Sequence, residues 1–178
     1  DFVGHKEGEN VLFKTVNASS VEAEVEIAPH PGGYAFDYRV KIQNNGALAA
    51  PISLSMEMAA ENTIKDAGFG ASQTVLQGIC AFSEDIERQE ISGLEDGPWV
   101  SKEPTVWAGI DLQYFVLGLI GKDSEKPFSG PCEVSASGKI LTLNQEIGKD
   151  TLNPGQSSEF FFTFYTGPKR DEQLLEIS

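Results

Sequence analysis

The stretch YAFDYRVKIQ, residues 34–43, decides the fold class. Tyr34, Phe36, Tyr38, Val40 and Ile42 take every second position, and Asp37, Arg39, Lys41 and Gln43 fill the gaps. A period of two sends one set of side chains into a core and the other into water, which is the pattern of a strand; a helix needs apolar residues three and four apart. The turn PHPGG (29–33) precedes the stretch, and Asn44, Asn45 and Gly46, residues tolerant of positive φ, follow it. Alternation resumes after Pro51 with Ile52, Leu54, Met56 and Met58 opposite Ser53, Ser55 and Glu57. The spacing therefore predicts a long hairpin over 34–58, with Pro51 at the start or edge of its second strand, where a missing N–H is tolerated.

Working outward, residues 10–28 read as two strands. In SVEAEVEIA (20–28), Val21, Ala23, Val25 and Ile27 alternate with Glu22, Glu24 and Glu26. Three carboxylates at this spacing resemble a metal or acid/base cluster, but a solvated strand face explains them and also discourages edge-to-edge association. The pattern breaks over 60–70, which reads as a loop. TVLQGICAF (74–82) carries no charge and reads as an interior strand, whereas 83–104, acidic and interrupted by Gly93, Gly97, Pro98 and Pro104, reads as an edge strand around 86–91 plus a long loop.

WAGIDLQYFVLGLI (107–120) is charge-free from Leu112 onward and reads as core. Strands are expected near 132–136 and 139–147. SSEFFFTFYTG (157–167) has aromatics on both faces, so it is expected to be covered on both sides. The close PKRDEQLLEIS suits the opening of a helix, with Pro168 in its first turn and Asp171 and Glu172 complementing the positive helix end. The expected core comprises Phe36, Tyr38, Val40, Leu54, Met56, Trp107, Phe115, Leu117, Phe162 and Phe164.

A chain of 178 residues suits one domain, 1–178, able to bury a core without staples. Its 18 Gly and 9 Pro favour many short strands, hence an all-β class. The formal charge of −14, from 27 acidic and 13 basic residues, is repelled by phosphate backbones and anionic lipid, which argues against nucleic acid as a partner and against direct electrostatic docking on a membrane. The apolar run 112–121 is far shorter than the roughly 18–20 residues of a membrane span. The opening Asp1 and the lack of a signal-peptide pattern suggest an excised part of a longer protein. Cys80 and Cys132 are too few for a disulfide scaffold and lack metal-ligand spacing; an oxidising compartment would allow them to pair, and two small buried hydrophobes is an equally good reading.

Chemistry is sparse. His30 lies among prolines in a turn and His5 near the start, neither with a partner at a motif spacing. Nucleophile-elbow, phosphate-loop and zinc signatures are absent from the sequence, so no cofactor, metal or catalytic residue is expected. The carboxylate pairs Glu7/Glu9 and Glu95/Asp96 are surface charges, with weak calcium binding the alternative. Asn17-Ala18-Ser19 fits a glycosylation acceptor that occurs often by chance. Trp107, Tyr114 and Phe115 could line a ligand groove, but their apolar neighbours favour core packing.

The Trp107-x-Gly109-x-x-x-x-Tyr114-Phe115 stretch, a Pro-Gly-Gln-Ser turn at 154–157, and the ending Tyr165-x-Gly167-Pro168-Lys169 occur in an order that resembles the periplasmic domain of the YidC membrane-protein insertases. The resemblance implies a large twisted antiparallel β-sandwich, similar to mutarotase and carbohydrate-binding sandwiches, closed by a short C-terminal helical segment. It implies a soluble, non-catalytic, monomeric domain in the periplasm, held by a bacterial inner-membrane protein and assisting, chaperone-like, the insertion and folding of membrane proteins. Sec translocon subunits and nascent membrane proteins are the implied partners. Against that family the chain is short of N-terminal strands and of a membrane-proximal helix. The alternative is a carbohydrate-binding or mutarotase-like sandwich, which would require a histidine and a carboxylate converging in a cleft; an adhesion-type sandwich leaves the two motifs unexplained.

Overall fold

The computed structural model describes residues 2–15, 20–31, 33–62, 76–122 and 128–169. Among these are thirteen strands: β1 (Phe2–Glu7), β2 (Asn10–Thr15), β3 (Val21–Pro29), β4 (Ala35–Asn44), β5 (Ala50–Glu61), β6 (Gln77–Ala81), β7 (Ile86–Glu90), β8 (Trp99–Val100), β9 (Trp107–Asp111), β10 (Phe115–Gly121), β11 (Cys132–Ser137), β12 (Ile140–Leu152) and β13 (Ser157–Pro168). One 3-10 turn, Ile91–Gly93, is the helical element among the described residues. Nine strands form a large sheet in the order β1-β2-β3-β4-β13-β10-β9-β6-β7, and four form a smaller one, β5-β12-β11-β8. The paired strands run antiparallel throughout. The all-β class expected from composition and alternation is observed, and so is the antiparallel sandwich that the resemblance implied.

The core lies between the sheets. Val40, Ile42, Cys80, Ala108, Ile110, Leu119 and Phe162 from the large sheet meet Met58, Cys132, Val134, Leu141, Leu143 and Ile147 from the small one. Each large apolar side chain so buried contributes roughly 1.5–3 kcal/mol relative to exposure. Gly78 leaves the space that Val134 fills, since a Cβ there would stand 2.6 Å from the valine Cγ1. Cys80 and Cys132, both fully buried, are bonded across the two sheets with their Cα atoms 6.2 Å apart.

The hairpin expected over 34–58 does not form. β4 pairs with β3 and β13, whereas β5 crosses to the other sheet and pairs with β12. The reason lies in Asn44, which is fully buried. Its side-chain amide donates to the carbonyls of Leu48 and Leu152, both at 2.8 Å, and its side-chain oxygen accepts from the Gly46 N–H at 2.9 Å. Its backbone is spoken for too: its N–H donates to Gln156 and its carbonyl accepts from Gly155. Asn44 therefore serves as a buried corner between the sheets, and Gly46 is not among the glycines with positive φ.

Other expectations are corrected in the same way. Residues 107–120 are not one core run but the β9–β10 hairpin, whose turn leaves Tyr114 68% and Phe115 52% exposed. Phe36, expected in the core, is 37% exposed at the same end of the sheet. β13 is not covered on both sides: Phe162 is buried inward, while Phe161 on the outer face is 37% exposed. Pro168 ends β13 in extended backbone opposite Phe115 rather than opening a helix, and 170–178 lie outside the described residues, as do Asn17–Ser19 and most of 60–70. The Glu22–Glu26 row sits on an interior strand, where Glu24 pairs with Lys14 at 2.7 Å and Glu26 accepts from Asn10 at 2.9 Å.

Candidate contact groove on the outer face of the large sheet

On the outer face, adjacent strands line up Asp111 with Val116 and Gln77, Gly109 with Gly118 and Ile79, and Trp107 with Ile120 and Ala81. Gly118 in turn stands opposite Tyr165 of β13. Because positions 109 and 118 carry no side chains, the sheet is hollow there. The result is a mostly apolar groove of about 360 Å3 lined by Ile79, Trp107, Asp111, Val116, Gly118, Tyr165 and Lys169.

Gly109 and Gly118 are required for different reasons. A Cβ on Gly109 would stand 2.4 Å from the Leu117 carbonyl oxygen, a backbone atom that cannot step aside. A Cβ on Gly118 would meet only the Tyr165 Cβ, at 3.9 Å, which is ordinary contact. The first glycine is demanded by the fold, the second leaves the groove open.

The ending Tyr165-Thr166-Gly167-Pro168-Lys169 is a self-contained latch. The Tyr165 phenol folds back over Gly167 to donate to the Pro168 carbonyl at 2.8 Å, and a Cβ on residue 167 would lie 2.6 Å from that hydroxyl. Tyr34 packs beside it, ring centres 6.5 Å apart. The Lys169 N–H donates to the Tyr114 carbonyl at 3.0 Å, and its ammonium pairs with Asp111. Strand end and β9–β10 hairpin are thus tied together at the mouth of the groove.

The residues singled out in the sequence consequently converge. Trp107, expected in the core, instead points to the outer face because its neighbours Ala108 and Ile110 take the inward parity, and it lines the groove with Tyr165 and Lys169; Gly109 stands between them in the register, Gly167 and Pro168 complete the latch, and Tyr114 and Phe115 crown the hairpin. Cys80 and Cys132 lie on the other side of the sheet, in the core. Asp111, Ile79, Val116 and Gly118 were not singled out; only their cross-strand register brings them here, and residues from three strands share no local sequence signal.

A second, polar cleft of about 320 Å3 lies further along the same face, lined by Glu26, Ala28, Asp37, Tyr38, Arg39, Lys122, Phe161, Phe162 and Thr163. Asp37 accepts from the Thr163 hydroxyl at 2.7 Å and from the His30 Nδ1 at 2.9 Å, so His30, contrary to the sequence expectation, has a carboxylate partner. His5 also has one in Glu7, on the exposed first strand. Partial burial works to raise the Asp37 carboxyl, but the Thr163 and His30 hydrogen bonds, helped by the nearby Lys122 charge, outweigh it and hold the group below its usual value. Arg39 bridges Glu159 at 2.8 Å and Glu26 at 3.8 Å, and the Lys122 ammonium stands 4.4 Å above the Phe161 ring. Among the described residues no group of three or more His, Cys, Asp or Glu side chains is placed to hold a metal ion.

The fold is similar to that of a galactose mutarotase-like protein from Lactobacillus casei, with a TM-score of 0.65 at 13% identity, covering 94% of this chain and 73% of that one. A putative aldose 1-epimerase from Escherichia coli K12 superposes with a TM-score of 0.59 at 9% identity, over 94% of this chain and 69% of its own. At such identities the likeness is one of fold. In sequence, the membrane protein insertase YidC of Syntrophus aciditrophicus is 23% identical over 183 residues, and that of Shewanella sp. strain ANA-3 is 27% identical over 153. These matches take in 99% and 84% of this chain but only 31% and 27% of the relatives' lengths. With residues 3–178 also matching the family described as the YidC periplasmic domain, the chain belongs to that family.

Proposed function

We propose that this chain is a non-catalytic contact domain of a bacterial inner-membrane insertase, facing the periplasm and assisting the insertion and folding of membrane proteins by holding extended protein segments. The observation that carries this reading is the outer-face groove: apolar, open over Gly118, and bordered at one end by the Asp111–Lys169 pair. Membrane-protein segments on their way into the bilayer are rich in Leu, Ile, Val and Phe, and a shallow apolar hollow of this volume accommodates one or two such side chains while their backbone stays extended. Nascent membrane proteins and Sec translocon subunits are the proposed partners.

Photoreactive residues placed at Ile79 or Val116 of the full-length insertase test the reading. Capture of a nascent membrane protein or a translocon subunit from these positions, and not from Glu22 on the far part of the sheet, is the expected result; equal capture from all three overturns it.

One observation favours a second reading. His30 and Asp37 do converge beside the polar cleft, as a sugar-binding or mutarotase-like site requires. Two features weigh against it: both Asp37 oxygens are engaged, by His30 and Thr163, and Lys122 covers the Phe161 face on which a sugar ring would stack. Saturable binding of galactose or glucose, abolished by Asp37→Asn, would move the assignment to this cleft.

A further inference from the structure

We propose that the end of the large sheet formed by the β3–β4 turn, the β9–β10 turn and the close of β13 rests against the lipid headgroups of the membrane beside which the domain is held. The inference rests on the insertase reading for that membrane, and on the molecule for the surface. Four large aromatics are exposed here: Tyr34 at 41%, Phe36 at 37%, Tyr114 at 68% and Phe115 at 52%. They come from segments far apart in sequence that β13 ties to one end of the sheet: the Thr166 N–H donates to the Tyr34 carbonyl at 2.8 Å and the Lys169 N–H to that of Tyr114 at 3.0 Å, while Phe36 stands opposite Phe164 and Phe115 opposite Pro168.

The charge pattern selects the occupant. Residues 29–36, 112–118 and 165–168 contain no Asp or Glu, in a chain that has 27. Among the described residues the lysine at this rim, Lys169, is paired with Asp111. Of the carboxylates at this end among the described residues, Asp37 is engaged by His30 and Thr163 and Asp111 by Lys169, while Glu7 and Glu9 in the β1–β2 turn and Glu90 closing β7 stand at the two outer margins of the sheet; the opposite end carries Glu84 and Asp85 in the β6–β7 turn. A domain of net charge −14 beside anionic headgroups meets less repulsion through an end whose described carboxylates are paired or marginal than through its carboxylate-bearing faces. Tyrosine and phenylalanine suit that layer, since the ring enters the acyl boundary while the phenol stays among headgroups. Tyr34 and Tyr114 project from turns and Phe36 and Phe115 from strand ends; none lines the groove, and four such rings offer little of the roughly 800 Å2 per partner of a stable protein contact.

The test uses the full-length insertase in vesicles of its own phospholipids, with a benzophenone amino acid at Tyr114, Phe115 or, as the far-end control, Ser83. Adducts of phospholipid mass at 114 and 115, about tenfold above those at 83, are expected for aromatics lodged in the headgroup layer. Lipid labelling no higher than at 83, or adducts to protein alone, overturns the inference. The two readings fail separately: groove positions that capture client protein while the rim takes no lipid sink only the rim, and the reverse result sinks only the groove. Because Tyr114 and Phe115 are exposed and the replacement is aromatic, a melting temperature matching the parent confirms that each variant is folded.

Discussion

The side-chain amide of Asn44 donates to the backbone carbonyl of Leu152 at 2.8 Å, joining the last residue of β4 in one sheet to the last residue of β12 in the other across 108 residues of sequence. Asn44→Ala removes this bond and the one to Leu48, leaving the Leu152 carbonyl unpaired in a buried site while that of exposed Leu48 can turn to water. A buried orphaned group costs about 1–3 kcal/mol, so urea unfolding is expected to show a loss of that size. A variant as stable as the parent would show that the corner is held by β4 and β12 alone.

The Cys80–Cys132 bridge closes a loop with a sequence separation of 52. The chain-entropy estimate for a loop of that length is about 4 kcal/mol, equivalent to a drop in Tm of roughly 8–16 °C for a domain of this size. The double Cys→Ala variant is expected to melt lower by that amount. Protein made in an oxidising compartment is expected to yield no free thiol on denaturation; two thiols would refute the bridge.

Phe162 and Phe115 separate buried from merely aromatic. Phe162 is 5% exposed and stacked on Tyr38 with ring centres 4.9 Å apart, so Phe162→Ala is expected to cost about 3–5 kcal/mol in transfer energy and cavity. Phe115→Ala, at the half-exposed hairpin tip, is expected to cost about 1 kcal/mol or less. Equal thermal shifts for the two would contradict the placement of the hairpin.

The two groove glycines are expected to behave oppositely. Gly109→Ala forces a Cβ onto the Leu117 carbonyl and is expected to destabilise by about 1–3 kcal/mol. Gly118→Val has room at its Cβ, so the melt is expected to stay close to the parent while its methyl groups fill the hollow and lower client crosslinking from Val116. Full crosslinking by a folded Gly118→Val protein would exclude the groove as the contact site.

Asp37 gives a pH signature. Its folded carboxyl titrates below the reference value of 3.8, so its ionised form stabilises the fold. That contribution is fully present above the unfolded pKa and disappears as pH falls through the lower folded value. The stability gap between the parent and Asp37→Asn, followed by urea midpoints, is therefore expected to be constant from neutrality down to about pH 5 and to narrow below 3.8. A gap that widens in acid would mean that burial, not the Thr163 and His30 bonds, governs the group.

What the sequence determined by itself is whatever is written locally. Alternation over 34–43 and 20–28 fixed strands and their inward faces, because side-chain direction along a strand depends only on parity. The glycines, aromatics and Tyr-x-Gly-Pro-Lys close were legible as a family pattern, because the latch they form spans only five residues. Tertiary structure alone decided which strands pair. The Asn-Asn-Gly after β4 suits a hairpin turn as well as a corner, and the choice was made by the carbonyl of Leu152 and the backbone of Gly155 and Gln156, which no local window contains. It likewise decided that Tyr114 stands in a turn and Phe115 at the first position of β10, both outside the core their composition suggests. The groove belongs wholly to that second class: Ile79, Trp107, Gly118 and Tyr165 become neighbours through the register of four strands, a relation of hydrogen bonding between distant segments that periodicity within any one of them does not encode.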